Sequence, residues 1–409
     1  MPIAERPPRY PLAVLDADLA APLPAVAGRR PDGQRVAGAW VLVRCHAQPL
    51  AAIVVDVPPE GLSPSALAQI LRAQVGSACA DSSSTVDGQS LPAGPPVTVV
   101  ICTRDRPEGL ARALASLRAQ THRPARVVVV DSGAAGGATR DVTRDAAADY
   151  LPVAVPGLAR ARNAAVRLCA GEAIAWLDDD EVADEHWFAQ VDRALRERPD
   201  ADVICGAIVP AELETPAQLW LEALGGMVAG RGFVEATFGP ATRDTFDPLY
   251  PLPPVGAGAN MVTRPGVVER VGGFDHALGA GTPVSGGEDT HLFARVLRDG
   301  GTVLYRPTLL TRHYHRRDVD DLYRQLRGYG AGLAAMYVAL LRERPSTAAS
   351  LLALVPRALG YLAGVGPRVQ PPAAGLAVED VPARLRHAVR HGLPGGLTAY
   401  LWGRRGDRS

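Results

Sequence analysis

From Val97 onward, short runs of β-branched and other apolar residues alternate with segments of helical periodicity, and this limits the fold more than any other feature. The runs are VTVVIC, VVVVD, LPVAV, AIAWL and DVICGAIV. Between them lie helical patterns, the first carrying Leu110, Leu114 and Leu117, the next spanning residues 164–168, and another starting at Glu185. Such alternation predicts βαβ units, a mostly parallel Rossmann-like sheet flanked by helices, and ligands held at the carboxyl ends of its strands. A loop-rich stretch follows over residues 225–258. Helical signals return at 265–271 and 289–298, then comes the strand TVLY, and beyond Asp318 the pattern is mostly helical.

The N-terminal part reads as a smaller α+β unit. VAGAWVLVRC and PLAAIVVDV, joined near Gln48-Pro49, predict a hairpin, and Ser63-Pro64 opens a helix through Leu67, Ile70, Leu71 and Val75. Residues 80–96 are rich in Ser, Gly and Pro with almost no large apolar side chain, so a linker is expected there. The expected division is an accessory unit at 1–79, the linker at 80–96, the main α/β domain at 97–317 and a helical, basic region at 318–409.

Composition narrows the chemistry. Every basic residue is arginine, which excludes a P-loop lysine and a Schiff-base lysine. Cys45, Cys79, Cys102, Cys169 and Cys205 are odd in number and scattered, so neither a disulfide nor a zinc site is expected. The first 30 residues lack an apolar run of signal-peptide length, and the protein is expected to be cytoplasmic. Formal charge is zero overall, yet from Arg312 onward fifteen Arg stand against seven Asp and Glu, a net of +8. With the apolar stretches AGLAAMYVALL and SLLALVPRALGYLAGVG, this makes the C-terminal region a candidate for peripheral contact with the inner face of a membrane. The bland alternative is that these helices pack on the main domain with solvated arginines. No nucleic-acid partner is expected.

Four clusters carry possible chemistry. AIAWLDDDEV places Asp178, Asp179 and Asp180 after an apolar strand; a divalent cation would relieve their repulsion, although a solvated helix start also favours Asp. In VVVVDSG, Asp131 ends an inner strand, and VTVVICTRDRP likewise delivers Thr103, Arg104, Asp105 and Arg106 to a strand end. The Gly-rich loop before Glu288-Asp289 places a carboxylate where a general base could act, or simply caps a helix. RPTLLTRHYHRRD gathers Arg312, His313, His315, Arg316 and Arg317, fit for a diphosphate or a metal shell, or for a basic surface.

In this order along the chain, the segments resemble glycosyltransferase family two. VTVVICTRDRPEGLARALASLRAQ is similar to the family's opening strand and helix. VVVVDSG is similar to its second strand, and VPGLARARNAAVRLCAGEAIAWLDDD to its approach to the DxD motif. GAGANMVTRPGVVERVGGFDHALGAGTPVSGGEDTHLFARVLRDGG is similar to its acceptor-side half. The resemblance covers about residues 96–329 and implies a GT-A type fold. It implies an inverting transfer of a hexose or deoxyhexose from a nucleotide diphosphate sugar to a glycan, lipid-linked or small-molecule acceptor, with Mg²⁺ or Mn²⁺. It also implies a general base at Asp289, a nucleotide site with Thr103, Asp105, Asp131, Arg160, Asn163, Asp178 and Asp179, and Asp180 on the metal. His315 is the histidine expected to join it. The competing readings are a sugar nucleotidyltransferase, which lacks support in any basic Gly-rich loop near the first strand, and a nucleotide-sugar-binding pseudoenzyme.

Overall fold

The computed structural model describes residues 10–76, 79, 93–133, 137–227, 231–246, 249, 255–362 and 375–406. Most of the expected linker, residues 80–92, lies outside them, as does part of the loop after Asp131.

An N-terminal three-stranded sheet comes first. Strand β1 (Leu12–Asp18) runs parallel to β2 (Gly38–Cys45), which turns back into antiparallel β3 (Gln48–Asp56). His46 and Ala47 make the turn with φ of 51° and 65°, the left-handed pair that suits a two-residue hairpin. Helix α1 (Pro64–Val75) is capped by the Ser63 hydroxyl, which accepts from the Ala66 amide, and it buries Leu67 and Leu71 against the sheet. Strand β1 was not expected, because a parallel partner 26 positions away leaves no local turn signal.

One cysteine expectation is corrected. Cys45 and Cys79 form a disulfide, with Cα atoms 5.5 Å apart and 34 residues between them in sequence. No short spacing announces this pair. It forms because α1 carries the chain back to the end of β2.

The main sheet has nine strands in the order β10-β12-β9-β11-β7-β4-β5-β6, with β8 added to β12. They are β4 (Val97–Thr103), β5 (Arg126–Asp131), β6 (Asp149–Pro152), β7 (Ala173–Asp178), β8 (Glu181–Ala183), β9 (Val203–Pro210), β10 (Ala236–Phe238), β11 (Asn260–Thr263) and β12 (Val303–His313). Pairing is parallel from β7 through β4 and β5 to β6, and between β9 and β12, whereas β11 runs antiparallel between β7 and β9. The helices are α2 (Pro107–Arg118), α3 (Gly137–Asp145), α4 (Leu158–Leu168), α5 (Trp187–Glu197), α6 (Pro216–Ala223), α7 (Val267–Arg270), α8 (Glu288–Arg298), α9 (Val319–Glu343), α10 (Thr347–Leu362), α11 (Ala383–Arg386) and α12 (Ala388–Gly406). The α/β class and the helical C-terminal region are thus as the sequence predicts.

Strand alternation divides the core into two layers. Val100, Trp176, Cys205 and Met261 face α4 and α8, through Ala161, Ala165, Leu292 and Phe293. Val99, Ile101, Leu177 and Ile204 face α2 and α5, through Leu110, Leu114, Trp187 and Val191. Two strand limits differ from the expected ones. The run LPVAV supplies only the end of β6, because Val128 to Asp131 pair with residues 149–152. TVLY continues to His313 past a register break between Tyr305 and Leu310, which brings the histidine cluster into the sheet. Among the described residues no helix is long and apolar enough to cross a membrane.

The denatured, unreduced protein should therefore titrate three thiols with a chromogenic disulfide reagent, from Cys102, Cys169 and Cys205, and five after reduction. Five thiols before reduction would remove the bridge.

Candidate active site

The carboxyl ends of β4, β5 and β7 bring the acidic motifs together. Asp131 is buried at the end of β5, where Oδ1 accepts from the Gly133 amide at 2.8 Å and Oδ2 from the Tyr150 hydroxyl at 2.8 Å. Asp105 adopts a left-handed backbone, φ 55°, which Asp tolerates better than most residues. A side chain on Gly133 would strike both Asp105 Oδ1 and Asp131 Oδ1, at 2.7 and 2.9 Å, so these two carboxylates flank one glycine.

After β7 the three aspartates take different partners. Asp178 faces Arg162, Nη2 to Oδ1 3.4 Å. Asp179 accepts from the Thr103 hydroxyl at 2.7 Å and from Arg106 Nη1 at 3.1 Å. Asp180 meets Arg106 Nη1 at 3.1 Å, Arg316 Nη2 at 3.6 Å and His313 Nε2 at 3.3 Å. Burial pushes Asp178 up to about 6 and raises Asp179. Burial also acts on Asp180, but His313, Arg106 and Arg316 outweigh it and hold this carboxyl well below the usual range. Of the three, Asp180 is thus the carboxyl whose ionised form its surroundings favour.

The basic cluster divides by strand alternation. Because β12 pairs with β8, His313 lies opposite Glu181 and next to Asp180, while Arg312 points the other way and binds Asp16 of β1 at 2.6 Å. Arg317 pairs with Glu212. His315 stands behind His313, its Nδ1 2.8 Å from the His313 Nδ1 and its Nε2 2.9 Å from Glu222 Oε1. The histidine that faces Asp180 is thus His313.

A further part of the site is built on the N-terminus of α8. Asp289 Oδ2 accepts from the Gly258 amide at 2.8 Å and Oδ1 from the Thr290 amide at 2.6 Å. Gly258 must be glycine here, since a Cβ would lie 2.8 Å from Asp289 Cβ and 2.7 Å from Arg162 Nη1. Neighbouring Glu288 is buried, and burial with the Asp289 charge pushes it up to about 7. The Tyr329 hydroxyl of α9 accepts from Gln325 Nε2 at 2.8 Å. Desolvation, together with the charges of Asp289 and Asp180, pushes its phenol up to about 12.

Asn163 and Arg160 lie on α4. Asn163 accepts from the Phe274 amide and donates to the Phe274 carbonyl, both at 2.8 Å, and its Nδ2 is 2.9 Å from His276 Nε2. Arg160 Nη1 is 3.5 Å from His276 Nδ1. Both therefore hold the loop after Gly273.

Sequence reasoning placed Arg106 at its strand end without a role and missed Arg162 and Tyr329. Arg162 is fully buried and contacts Asp178, Glu288 Oε1 at 3.1 Å and the Gly258 carbonyl at 3.0 Å. Its signal was available, because residue 162 falls among Ala159, Ala161, Ala165 and Val166 on the buried face of α4. An arginine at such a position needs partners.

Open α/β sheets receive their ligands at the carboxyl ends of the strands, where these acidic side chains lie. Residues 98–270 match the model of glycosyl transferase family 2. The pre-mycofactocin glycosyltransferase of Mycobacterium tuberculosis is 30% identical over 261 residues, 62% of this chain and 51% of that one. The glucosyl-dolichyl phosphate glucuronosyltransferase of Haloferax volcanii is 26% identical over 193 residues, 45% of this chain and 57% of that one. The chain thus spans about half the length of the curated relatives it matches. Among solved structures, a mannosyltransferase from Pyrobaculum calidifontis superposes with a TM-score of 0.47 at 16% identity, covering 77% of this chain and 91% of that one.

Arg162→Met should remove about 3 kcal/mol of stability, because it leaves Glu288, Asp178 and a buried carbonyl without their partner. Chemical denaturation measures this. A loss of a few tenths would mean that the guanidinium contributes little beyond its volume.

Proposed function

We propose that this protein is a metal-dependent, inverting glycosyltransferase that moves a hexosyl or deoxyhexosyl group from a nucleotide diphosphate sugar to an acceptor hydroxyl. The observation that carries this reading is the position of Asp180 just after β7, faced by Arg106 at 3.1 Å, His313 at 3.3 Å and Arg316 at 3.6 Å, in a chain whose residues 98–270 match the family 2 model. The donor set suits Mg²⁺ or Mn²⁺, since an ionised carboxylate and an imidazole nitrogen face each other across 3.3 Å. Among the described residues no three His, Cys, Asp or Glu side chains form a ready cage. Asp180 and His313 would hold the cation, with phosphate oxygens and water as the remaining ligands, and His315 acts through His313. When bound, the cation offsets the negative charge that grows on the departing nucleoside diphosphate.

The chain's own groups supply the rest. Asp105 and Asp131 take hydrogen bonds from the base and ribose, with Thr103, Asp178, Asp179, Arg160 and Asn163 supporting the nucleotide side. Arg106 and Arg316 are placed to bind the diphosphate. Asp289, held by the Gly258 and Thr290 amides, keeps lone pairs free and accepts the proton of the attacking hydroxyl. Direct displacement inverts the anomeric carbon.

Candidate nucleotide sugars incubated with Mn²⁺ and acceptors should release free nucleoside diphosphate; pyrophosphate, or no product across the panel, would count against transfer. Asp180→Ala should abolish the metal dependence of nucleoside diphosphate binding in calorimetry. Asp289→Asn should cut turnover by about a hundred- to ten-thousand-fold with donor affinity nearly unchanged. Near wild-type turnover would remove Asp289 from the role.

We assign residues 1–79 to an accessory unit, 80–96 to a linker, 97–317 to the catalytic domain and 318–409 to a region that rests on an anionic membrane surface. The last assignment is supported by α12, where Leu397, Leu401 and Trp402 are exposed, Trp402 by 70%. Between residues 383 and 406 there are five Arg and no Asp or Glu. An aromatic and two leucines beside arginines suit a headgroup layer. The name of the Haloferax relative contains dolichyl phosphate, which agrees with a lipid-linked acceptor here. In flotation at low salt the protein should rise with anionic vesicles, sink with neutral ones, and lose binding on Leu401→Ser/Trp402→Ser. Recovery only in the soluble fraction with anionic vesicles would rule the assignment out.

A further inference from the structure

One arginine near the seat of Asp289 has no acidic partner. The buried Arg44, Arg162 and Arg306 each meet two carboxylates. Arg231, in the chain before β10, meets none among the described residues, and its Nε and Nη1 are buried without a hydrogen-bond partner. The groups whose charge bears on it are the Tyr305 phenol and the Cys205 thiol. Burial pushes both up, Cys205 to about 12, so both are uncharged at neutral pH. Burial also pulls Arg231 below the usual arginine range, yet a guanidinium keeps its proton in proteins. A charge enclosed in this way is costly until an anion joins it.

Tyr305 holds the guanidinium in place. The Arg231 guanidinium carbon lies 5.1 Å from the centre of the Tyr305 ring, and the Tyr305 hydroxyl donates to the Gly232 carbonyl at 2.9 Å. One side chain thus positions both the cation and the backbone beside it. Tyr305 pairs with Cys205 across β12 and β9. The loop before β11 closes over that cysteine, since a Cβ on Gly256 would lie 2.2 Å from Cys205 Cβ. Two residues further on, the Gly258 amide holds Asp289. The charges of Arg231 and Asp289 both reach the Cys205 thiol, so the cation and the carboxylate lie within electrostatic reach of one side chain. Arg106 and Arg316 stand elsewhere, around Asp180. Arg231 also keeps part of its surface in contact with solvent, which gives a ligand a way to it.

We propose that Arg231 binds an oxyanion, a carboxylate or phosphate group, carried by the acceptor whose hydroxyl Asp289 deprotonates. This rests on the transferase reading above. The guanidinium fork offers such a group parallel N–H donors, whereas a neutral acceptor leaves those donors unpaired in a partly dry site. Acceptors are therefore selected by charge. Arg231 sets specificity and takes no part in the bond changes.

Three measurements on the full chain test this. In ¹⁵N-arginine NMR, the Nε–H signal of Arg231, assigned by its loss in Arg231→Leu, should move on titration with inorganic phosphate at constant ionic strength. An unmoved signal overturns the proposal. Without ligand, Arg231→Leu should unfold at or above the wild-type temperature, because the substitution removes an unpaired buried charge. A midpoint lowered by several degrees would make the arginine a structural group and overturn its role in binding. Nucleoside diphosphate release is then followed with a panel of nucleotide sugars and with acceptors paired by charge, each hexose against its uronate and its 6-phosphate. In the wild type kcat/KM should favour an anionic acceptor by at least about tenfold. Arg231→Leu should lose this preference, and Arg231→Lys, which keeps the charge without the planar fork, should retain part of it. Equal use of neutral and anionic acceptors, a preference that persists in Arg231→Leu, or one that follows the transferred sugar instead of the acceptor, overturns the proposal and leaves the transferase reading standing. No nucleoside diphosphate from any pair with the wild type would overturn that reading, and this proposal with it.

Discussion

The guanidinium of Arg162 is the interaction on which the two halves of the site depend. It reaches Asp178 from the β7 end, Glu288 from the start of α8, and the Gly258 carbonyl in the loop before β11. Arg162 and Glu288 are 126 positions apart in sequence. Only a planar group with five donors can serve three acceptors in different directions, and lysine would leave at least one buried acceptor poorly paired. Taking such a charge out of water is costly, so the arrangement persists only because every neighbour contributes negative potential. One consequence is electrostatic. With Arg162 tied to Asp178 and Glu288, Asp180 is left to a separate set of partners, Arg106, His313 and Arg316.

A second constraint is the alternation of β12. Successive side chains of a strand leave on opposite faces, so Arg312 departs toward Asp16 while His313 turns toward Asp180. The same residue pattern thus fastens the N-terminal sheet and furnishes the site. Arg44 repeats the fastening by joining Asp16 at 3.0 Å to Asp184 at 2.5 Å, and the Leu12 amide donates to the Leu213 carbonyl at 3.0 Å. The N-terminal sheet is in this way anchored to strands that border the acidic cluster.

How much of this was legible in the sequence depends on the range of the interactions. The βαβ alternation, the Ser63 cap and the strand-end aspartates were readable because each is written in neighbouring residues. Strand β11 was not, since NMVT is four residues long and owes its place to pairing on both sides with β7 and β9. The disulfide was hidden for the same reason, as neither cysteine lies near the other in sequence. In the histidine cluster the residue types were legible but their facing was not. Choosing between His313 and His315 requires knowing that β12 continues to residue 313 and pairs with β8. The resemblance set Asp180 apart from Asp178 and Asp179, but the partners that distinguish the three, His313, Arg162 and Thr103, appear only in the fold.

The C-terminal helices belong to this argument as walls of the site. Helix α9 buries Leu322 and Leu326 against α6, the helix that carries Glu222, and places Tyr329 where the charges of Asp180 and Asp289 both reach it. Further along, Gly332 lies against Gly287 at the start of α8, a contact so close that a Cβ on Gly287 would come within 2.6 Å of the Gly332 carbonyl oxygen. Helix α9 therefore touches the support behind the histidines at one end and the seat of Asp289 at the other. A rigid helix in that position fixes the separation between the two ends of the site, which a pair of loops could not do. The region of net positive charge and exposed apolar side chains on α12 is packed along this same helix through Tyr400 and Ala335. Through this packing α12 is joined by α9 to the end of the cleft that carries Asp289.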